Sequence, residues 1–357
     1  MKLTEFKLFR YSIPLKTPVT LSRITLYKRE GLIIQIRIES GESGFGEIAP
    51  LPGFSRESLS EAESELRICL LSQVNGSSID ELEKYIVQLF PSVRFGLECA
   101  LLELKAKREQ KRVSILFSNS SRQFVSVNGL LTGRRSEILS KAADYIRKGY
   151  KTVKLKVGSD DVELDIVLTR QVRDAIGDKV LLRLDANRRW NLENAQKFCR
   201  GVVECDIEYL EEPLSDSKTL ARVLSNEAFS IPIALDETTR EISPDKLSEF
   251  KGIKAVVLKP TMLGLGQTLE FVQSAQSEGI TPVIGSSFES GLGLTFLAQL
   301  AAVVNQEDIS AGLDTYSWFA DDIIKGSLPV ENGIIDISKL SSIESVLRYE
   351  RLEEVVL

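Results

Sequence analysis

Residues 152–187 read TVKLKVGSDDVELDIVLTRQVRDAIGDKVLLRLDAN. In the first six positions Val153, Leu155 and Val157 alternate with Lys154 and Lys156, the period of a β-strand, and Gly158 closes the run. Apolar residues then return at helical spacing over 164–175, Gly177 ends that segment, and a second apolar strand follows over 180–184. A strand, a helix and a strand within so few residues form a βαβ unit, whose strands are parallel because the chain has crossed over between them.

The unit repeats in both directions. Short apolar strands are predicted at 124–130, 207–210, 231–235, 255–258 and 281–284, with a weaker one at 309–313. Helical stretches at 135–148, 192–203, 269–278 and 292–303 lie between them. About eight such strands over roughly 200 residues point to an α/β fold, a (β/α)7-8 TIM-like barrel rather than an open doubly wound sheet. No GxGxxG follows the first strand and no P-loop occurs, which argues against a nucleotide site. Upstream the texture differs. Residues 32–38 read as a strand, 41–46 as a turn and 47–54 as a Pro/Gly loop, while 58–71, 79–89 and 95–107 carry helical periodicity. Residues 1–110 are therefore an α+β domain, and 111–329 the barrel.

In such a barrel the chemistry gathers at the C-terminal ends of the strands. The second strand offers Lys154 and Lys156, two apart and on one side. The third carries Arg183, Asp185 and Asn187; the fourth ends in Glu211-Glu212-Pro213, the fifth in Asp236-Glu237, the sixth in Lys259-Pro260 and the seventh in Ser286-Ser287-Phe288-Glu289. Asp185, Glu211 and Asp236 are spaced by 26 and 25 residues, about one repeat, so they are expected at matching heights on adjacent strands. Three inward carboxylates so close do not all stay ionised without a cation between them. An all-oxygen set suits Mg²⁺, or another hard ion such as Mn²⁺. Lys156 precedes the trio by one strand and Lys259 follows it by one, so the two lysines should face each other across the metal.

Composition narrows the chemistry further. The chain has no histidine, which removes Ser-His-Asp and Cys-His machinery and any His-bearing zinc site. A net charge of −6 argues against nucleic acid or an anionic membrane surface as a partner. No apolar run reaches the ~18 residues of a membrane span, and the start MKLTEFKLFRYSIPL lacks the apolar core of a signal peptide. Four scattered cysteines, Cys69, Cys99, Cys199 and Cys205, suit free thiols in a reducing compartment. The expected setting is cytoplasmic, and the oligomeric state is not legible.

These motifs resemble the enolase superfamily, in its Lys-x-Lys, muconate-lactonizing-enzyme-like branch, and within that the o-succinylbenzoate synthase family. The resemblance runs almost end to end, through Gly46–Ser55, Lys154–Val157, Arg183–Asn187, Glu211–Pro213, Asp236-Glu237, Lys259-Pro260, Ser286–Ser290 and Gly312–Thr315. Gly285 and Gly291 stand where some relatives have serine. The resemblance implies that the N-terminal unit caps the barrel mouth, joined there by the segment 330–357. It implies a lyase, a Mg²⁺-dependent hydro-lyase making o-succinylbenzoate from a small carboxylate in menaquinone or phylloquinone biosynthesis. Lys156 and Lys259 become the catalytic pair, with Asp185, Glu211 and Asp236 as metal ligands. Lys154, Arg183, Asn187 and Glu237 become supporting groups. Ser286, Ser287, Leu51, Phe54 and the loop 20–23 become substrate contacts.

A lysine beside a divalent cation and a second lysine should have its pKa lowered toward neutrality. The same frame also runs 1,1-proton transfer, as in N-acylamino-acid racemases and dipeptide epimerases. A non-catalytic binding descendant is the remote alternative.

Overall fold

The structure, a computed structural model, describes residues 2–21, 24–73, 78–305, 309–326 and 328–356. The chain begins as a long antiparallel ribbon, β1 (Leu3–Leu21) and β2 (Ile24–Ile38), extended by β3 (Ser43–Ile48). The side chains of the expected contact loop 20–23 lie outside the described residues.

This sheet is covered on both faces. Leu32, Ile34, Ile36 and Ile38 pack with Leu66, Leu97 and Leu104 of the helices Leu59–Gln73 and Pro91–Arg108. Ile33 and Phe45, on the other face, join the barrel's core. That two-sided burial is why 32–38 shows only partial alternation in the sequence.

The strand β3 lies backbone to backbone on the helix Pro91–Arg108. A methyl group added at Gly46 would stand 1.8 Å from the Gly96 carbonyl oxygen. Gly46→Ala should therefore lose roughly 1–3 kcal/mol of stability as an overpacking change, where a site with room would gain from stiffening the unfolded chain. Denaturant unfolding of the two proteins checks this, and equal or greater stability of the variant would contradict the close crossing.

The barrel follows. Its strands are β5 (Gly129–Leu131), β6 (Thr152–Lys156), β7 (Leu181–Asp185), β8 (Ile207–Glu211), β9 (Ile233–Leu235), β10 (Ala255–Leu258) and β11 (Thr281–Ile284). They pair in sequence order, every pair parallel. The predicted strand 124–130 is broken: β4 (Phe124–Ser126) pairs instead with β13 (Ile334–Asp336), itself paired with β12 (Val330–Glu331).

The weak eighth strand shrinks to Ala311 and Gly312, which bridge Val127 on one side and Gly285 on the other. Four backbone bonds of 2.7–3.0 Å hold them there, from Asn128 N to Ala311 O, Ala311 N to Ser126 O, Gly312 N to Ile284 O and Ser286 N to Gly312 O. The seven-stranded sheet is closed by these two residues, with no further edge to protect. After β9 the crossover is built from the 3₁₀ turns Glu237–Arg240 and Pro244–Glu249 rather than a helix. The last strand, β14 (Glu353–Val355), pairs with β1.

All four cysteines are unpaired and buried. No helix among the described residues is long and apolar enough to cross a membrane.

Candidate active site

The strand ends meet beneath the N-terminal sheet. Asp185 and Glu211 are register partners on β7 and β8, and Lys156 on β6 is the partner of Asp185. Glu211 lies opposite Ala234, however, so Asp236 stands two residues beyond it. The even spacing suggested equal heights; the stagger of tilted barrel strands displaces the third carboxylate while keeping it on the same face. All three are buried, and they offer oxygens within 4.8 Å of one another.

Lysines surround this trio. Lys156 Nζ donates to Asp185 Oδ2 at 2.6 Å and to Asn187 Oδ1 at 2.7 Å. Lys259 Nζ donates to Asp236 Oδ2 at 2.6 Å on the opposite flank. Lys154 Nζ lies 3.0 Å from Glu211 Oε2 and 3.3 Å from Asp185 Oδ2.

Burial and the neighbouring Asp185 and Asp236 push the Glu211 carboxyl up to about 7, against the pull of Lys154. Burial also works on Asp185, but Lys156 and Lys154 hold it below the usual carboxylate range. Burial favours the neutral form of Lys259 and Lys154, yet carboxylates outweigh it: Asp236 and Glu237 for the first, Glu211 and Asp185 for the second. Both ammonium groups are thus held charged by the carboxylates they touch. The direction follows from three carboxylates whose charge falls on the lysines.

That charge also states what the trio fits. Three buried carboxylates, one with a strongly raised pKa, are an oxygen donor set whose mutual repulsion a divalent cation relieves.

The supporting residues divide by what they touch. Asn187 holds Lys156, and its amide nitrogen donates to Glu237 Oε1 at 2.9 Å, so Glu237 reaches the lysine through Asn187. Arg183 is fully buried one layer deeper: it pairs with Glu208 at 2.7 Å, donates to Ser310 O at 2.6 Å and lies over the Tyr209 ring at 4.9 Å.

A cavity of about 200 Å³ adjoins the trio, lined by Lys154, Lys156, Lys259, Asn187 and Glu211 and also by Leu51, Phe54, Ser286 and Phe288. Ser287 is buried beside it without lining it. Tyr209 also lines the cavity, and its hydroxyl has no hydrogen-bond partner among the described residues.

Glu212 escaped the sequence reading. It points away from its neighbour Glu211 and accepts from Asp236 N at 2.8 Å, Thr238 N at 2.7 Å and Arg188 Nε at 3.0 Å, fixing the turn that carries Asp236. The available signal was the doubled Glu211-Glu212, since consecutive strand residues face opposite ways. Asn187 (φ 42°), Glu212 (φ 42°) and Phe288 (φ 60°) all sit at strand ends in the left-handed region. Such conformations cluster where a site over-determines its backbone.

Residues 137–341 match the enolase C-terminal domain-like family model, and residues 3–104 match that of the MenC N-terminal domain. The o-succinylbenzoate synthase of Pasteurella multocida (strain Pm70) is 36% identical over 335 residues, covering 90% of this chain and 92% of that protein. Among solved structures, the muconate lactonizing enzyme of Pseudomonas fluorescens complexed with muconolactone superposes with a TM-score of 0.88 at 22% identity, over 98% of this chain and 97% of that one. The L-Ala-D/L-Glu epimerase of Bacillus subtilis gives 0.85 at 24% identity, over 94% and 96%. At those identities the two structures share the fold.

Proposed function

This chain belongs to the o-succinylbenzoate synthase family of the enolase superfamily, and from that premise we propose how its barrel mouth removes water from 2-succinyl-6-hydroxy-2,4-cyclohexadiene-1-carboxylate. The observation that carries the reading is the placement of Lys156 and Lys259 on opposite flanks of one buried carboxylate trio, each 2.6 Å from a different member of it.

The difficulty of the reaction is its first proton. Carbon 1 of the substrate carries the carboxylate, and removing its hydrogen leaves an enediolate with a second negative charge. Asp185, Glu211 and Asp236 would hold a divalent cation, for which Mg²⁺ suits the oxygen donors, and that ion supplies Lewis-acid stabilisation of the enediolate oxygens. The protein's own groups do the rest.

Lys156, in its neutral form, takes the proton from carbon 1. The electron pair left behind expels the hydroxyl at carbon 6, and Lys156 returns the proton to it as water departs. The ring becomes aromatic, and the lysine ends as it began. One base on one face suffices for both transfers because the leaving group is adjacent to the carbon that is deprotonated.

Lys259 remains an ammonium group on the other face and opposes the developing negative charge. Asn187 aims the Lys156 amine, Glu237 fixes the Asn187 amide, and Arg183 with Tyr209 forms the floor. Leu51, Phe54 and Ser286 line one wall of the same cavity and take the succinyl arm. Ser287 supports that wall from behind.

The purified chain with Mg²⁺ should convert the cyclohexadiene acid to o-succinylbenzoate, and chelation with EDTA should abolish turnover until metal is restored. Loss of substrate absorbance checks both arms. Undiminished turnover in EDTA would overturn the metal's part.

A further inference from the structure

Two charged side chains of the N-terminal sheet lie buried outside the carboxylate trio, and most of their polar contacts reach the loop 49–50 and the segment 288–293. Arg29, on β2, is 2% exposed. Its Nε donates to Phe288 O at 3.1 Å, its Nη1 to Pro50 O at 2.9 Å and Glu30 O at 3.0 Å, and its Nη2 to Ala49 O. One guanidinium thus joins the loop that carries Leu51 and Phe54 to the turn that carries Ser286 and Phe288.

Glu47, on β3, is also 2% exposed and works from the other side. Its Oε1 accepts from the Tyr11 hydroxyl and from Ser290 N at 2.9 Å, and its Oε2 accepts from Ser290 Oγ at 2.7 Å and Gly293 N at 2.8 Å. The cradle is shaped for it: a methyl group at Gly293 would stand 2.5 Å from Glu47 Oε2.

Burying a guanidinium and a carboxylate is costly unless their hydrogen bonds are satisfied, and here both are satisfied largely by the 49–50 loop and the segment 288–293. Phe288 between them holds a left-handed backbone, which a phenylalanine keeps only when its surroundings fix it.

We propose that Arg29 and Glu47 are positioning residues that lock loop 49–55 and turn 286–290 into one rigid wall, and that this wall sets the affinity for the substrate's succinyl arm. The inference rests on the reaction given above for the identity of the arm; the locking itself does not. Because the wall meets the arm in the ground state and the transition state alike, loosening it raises KM more than it lowers kcat.

The test uses Arg29→Lys, which keeps the charge but loses the fork, and Glu47→Gln, which keeps the shape and serves if the first variant does not fold. Hydrogen-exchange mass spectrometry should show 49–55 and 286–293 exchanging faster together in either variant, with 152–156 and 207–211 unchanged. KM should rise about tenfold or more while kcat stays within about threefold and Mg²⁺ affinity is kept. Loosening of only the mutated segment, or joint loosening with an unchanged KM, overturns the proposal. If the wild-type chain turns over no cyclohexadiene acid, the reaction falls instead, and the exchange result still decides whether the two segments are locked.

Discussion

Lys156→Ala should lower kcat by roughly 10³- to 10⁴-fold, the scale of a lost general acid–base group at its upper end. The loss is large because, in the proposed reaction, one amine carries both proton transfers. No neighbour can substitute: Asn187 has no titratable proton, and Asp185 belongs to the carboxylate trio. Lys154 is two residues away on the same face of β6, but it is committed to Glu211 and Asp185.

A rapid-quench assay under single-turnover conditions isolates the chemical step, and circular dichroism with Mg²⁺ titration verifies that fold and metal site survive. Lys259→Ala belongs beside it as a contrast. In the proposed reaction that lysine holds a charge and moves no proton, so its replacement should reduce kcat without shifting which proton is removed. A Lys156→Ala protein within about tenfold of wild type would mean that another group is the base.

Glu211→Gln should weaken divalent-metal binding by on the order of 100-fold or more, since even partners that merely orient metal ligands are worth about 10- to 100-fold. Glu211 is the middle member of the trio, between Asp185 on β7 and Asp236 beyond β9. Glutamine keeps its shape and removes one of three charges, leaving Lys154 with Asp185 at 3.3 Å as its remaining partner. Calorimetric titration with Mg²⁺, repeated with Mn²⁺, reads the affinity directly. Turnover should fall with occupancy and return partly at high metal. Unchanged affinity would remove Glu211 from the ligand set.

Much of this site was legible in the sequence because a parallel barrel converts spacing into position. Lys156, Asp185, Glu211, Asp236 and Lys259 each close a short apolar run, and the fold brings those five ends together. The stagger was not legible: equal spacing suggested equal heights, whereas strand tilt set Asp236 two residues beyond its neighbour's register partner.

The eighth strand was weak in the sequence because only Ala311 and Gly312 bridge its neighbours. Arg29 and Glu47 escaped because the contacts that tie them to the barrel, Phe288 O for the first and Ser290 and Gly293 for the second, lie more than 200 residues away and are largely to backbone atoms, which leave no pattern of side-chain types to read. Glu47 was read as the start of the 47–54 loop and Arg29 precedes the predicted strand 32–38, yet both are buried.

One measurement bears most directly on the central claim, that this barrel eliminates water rather than epimerising a carbon acid. The purified chain with Mg²⁺ is given the cyclohexadiene acid and, in parallel in D₂O, an N-acylamino acid and an Ala-Glu dipeptide, with products followed by absorbance and proton NMR. The expected result is stoichiometric o-succinylbenzoate, at a kcat/KM orders of magnitude above any exchange of deuterium into the other two. Rapid deuterium exchange and epimerisation of the dipeptide, with the cyclohexadiene acid left unconverted, would contradict it.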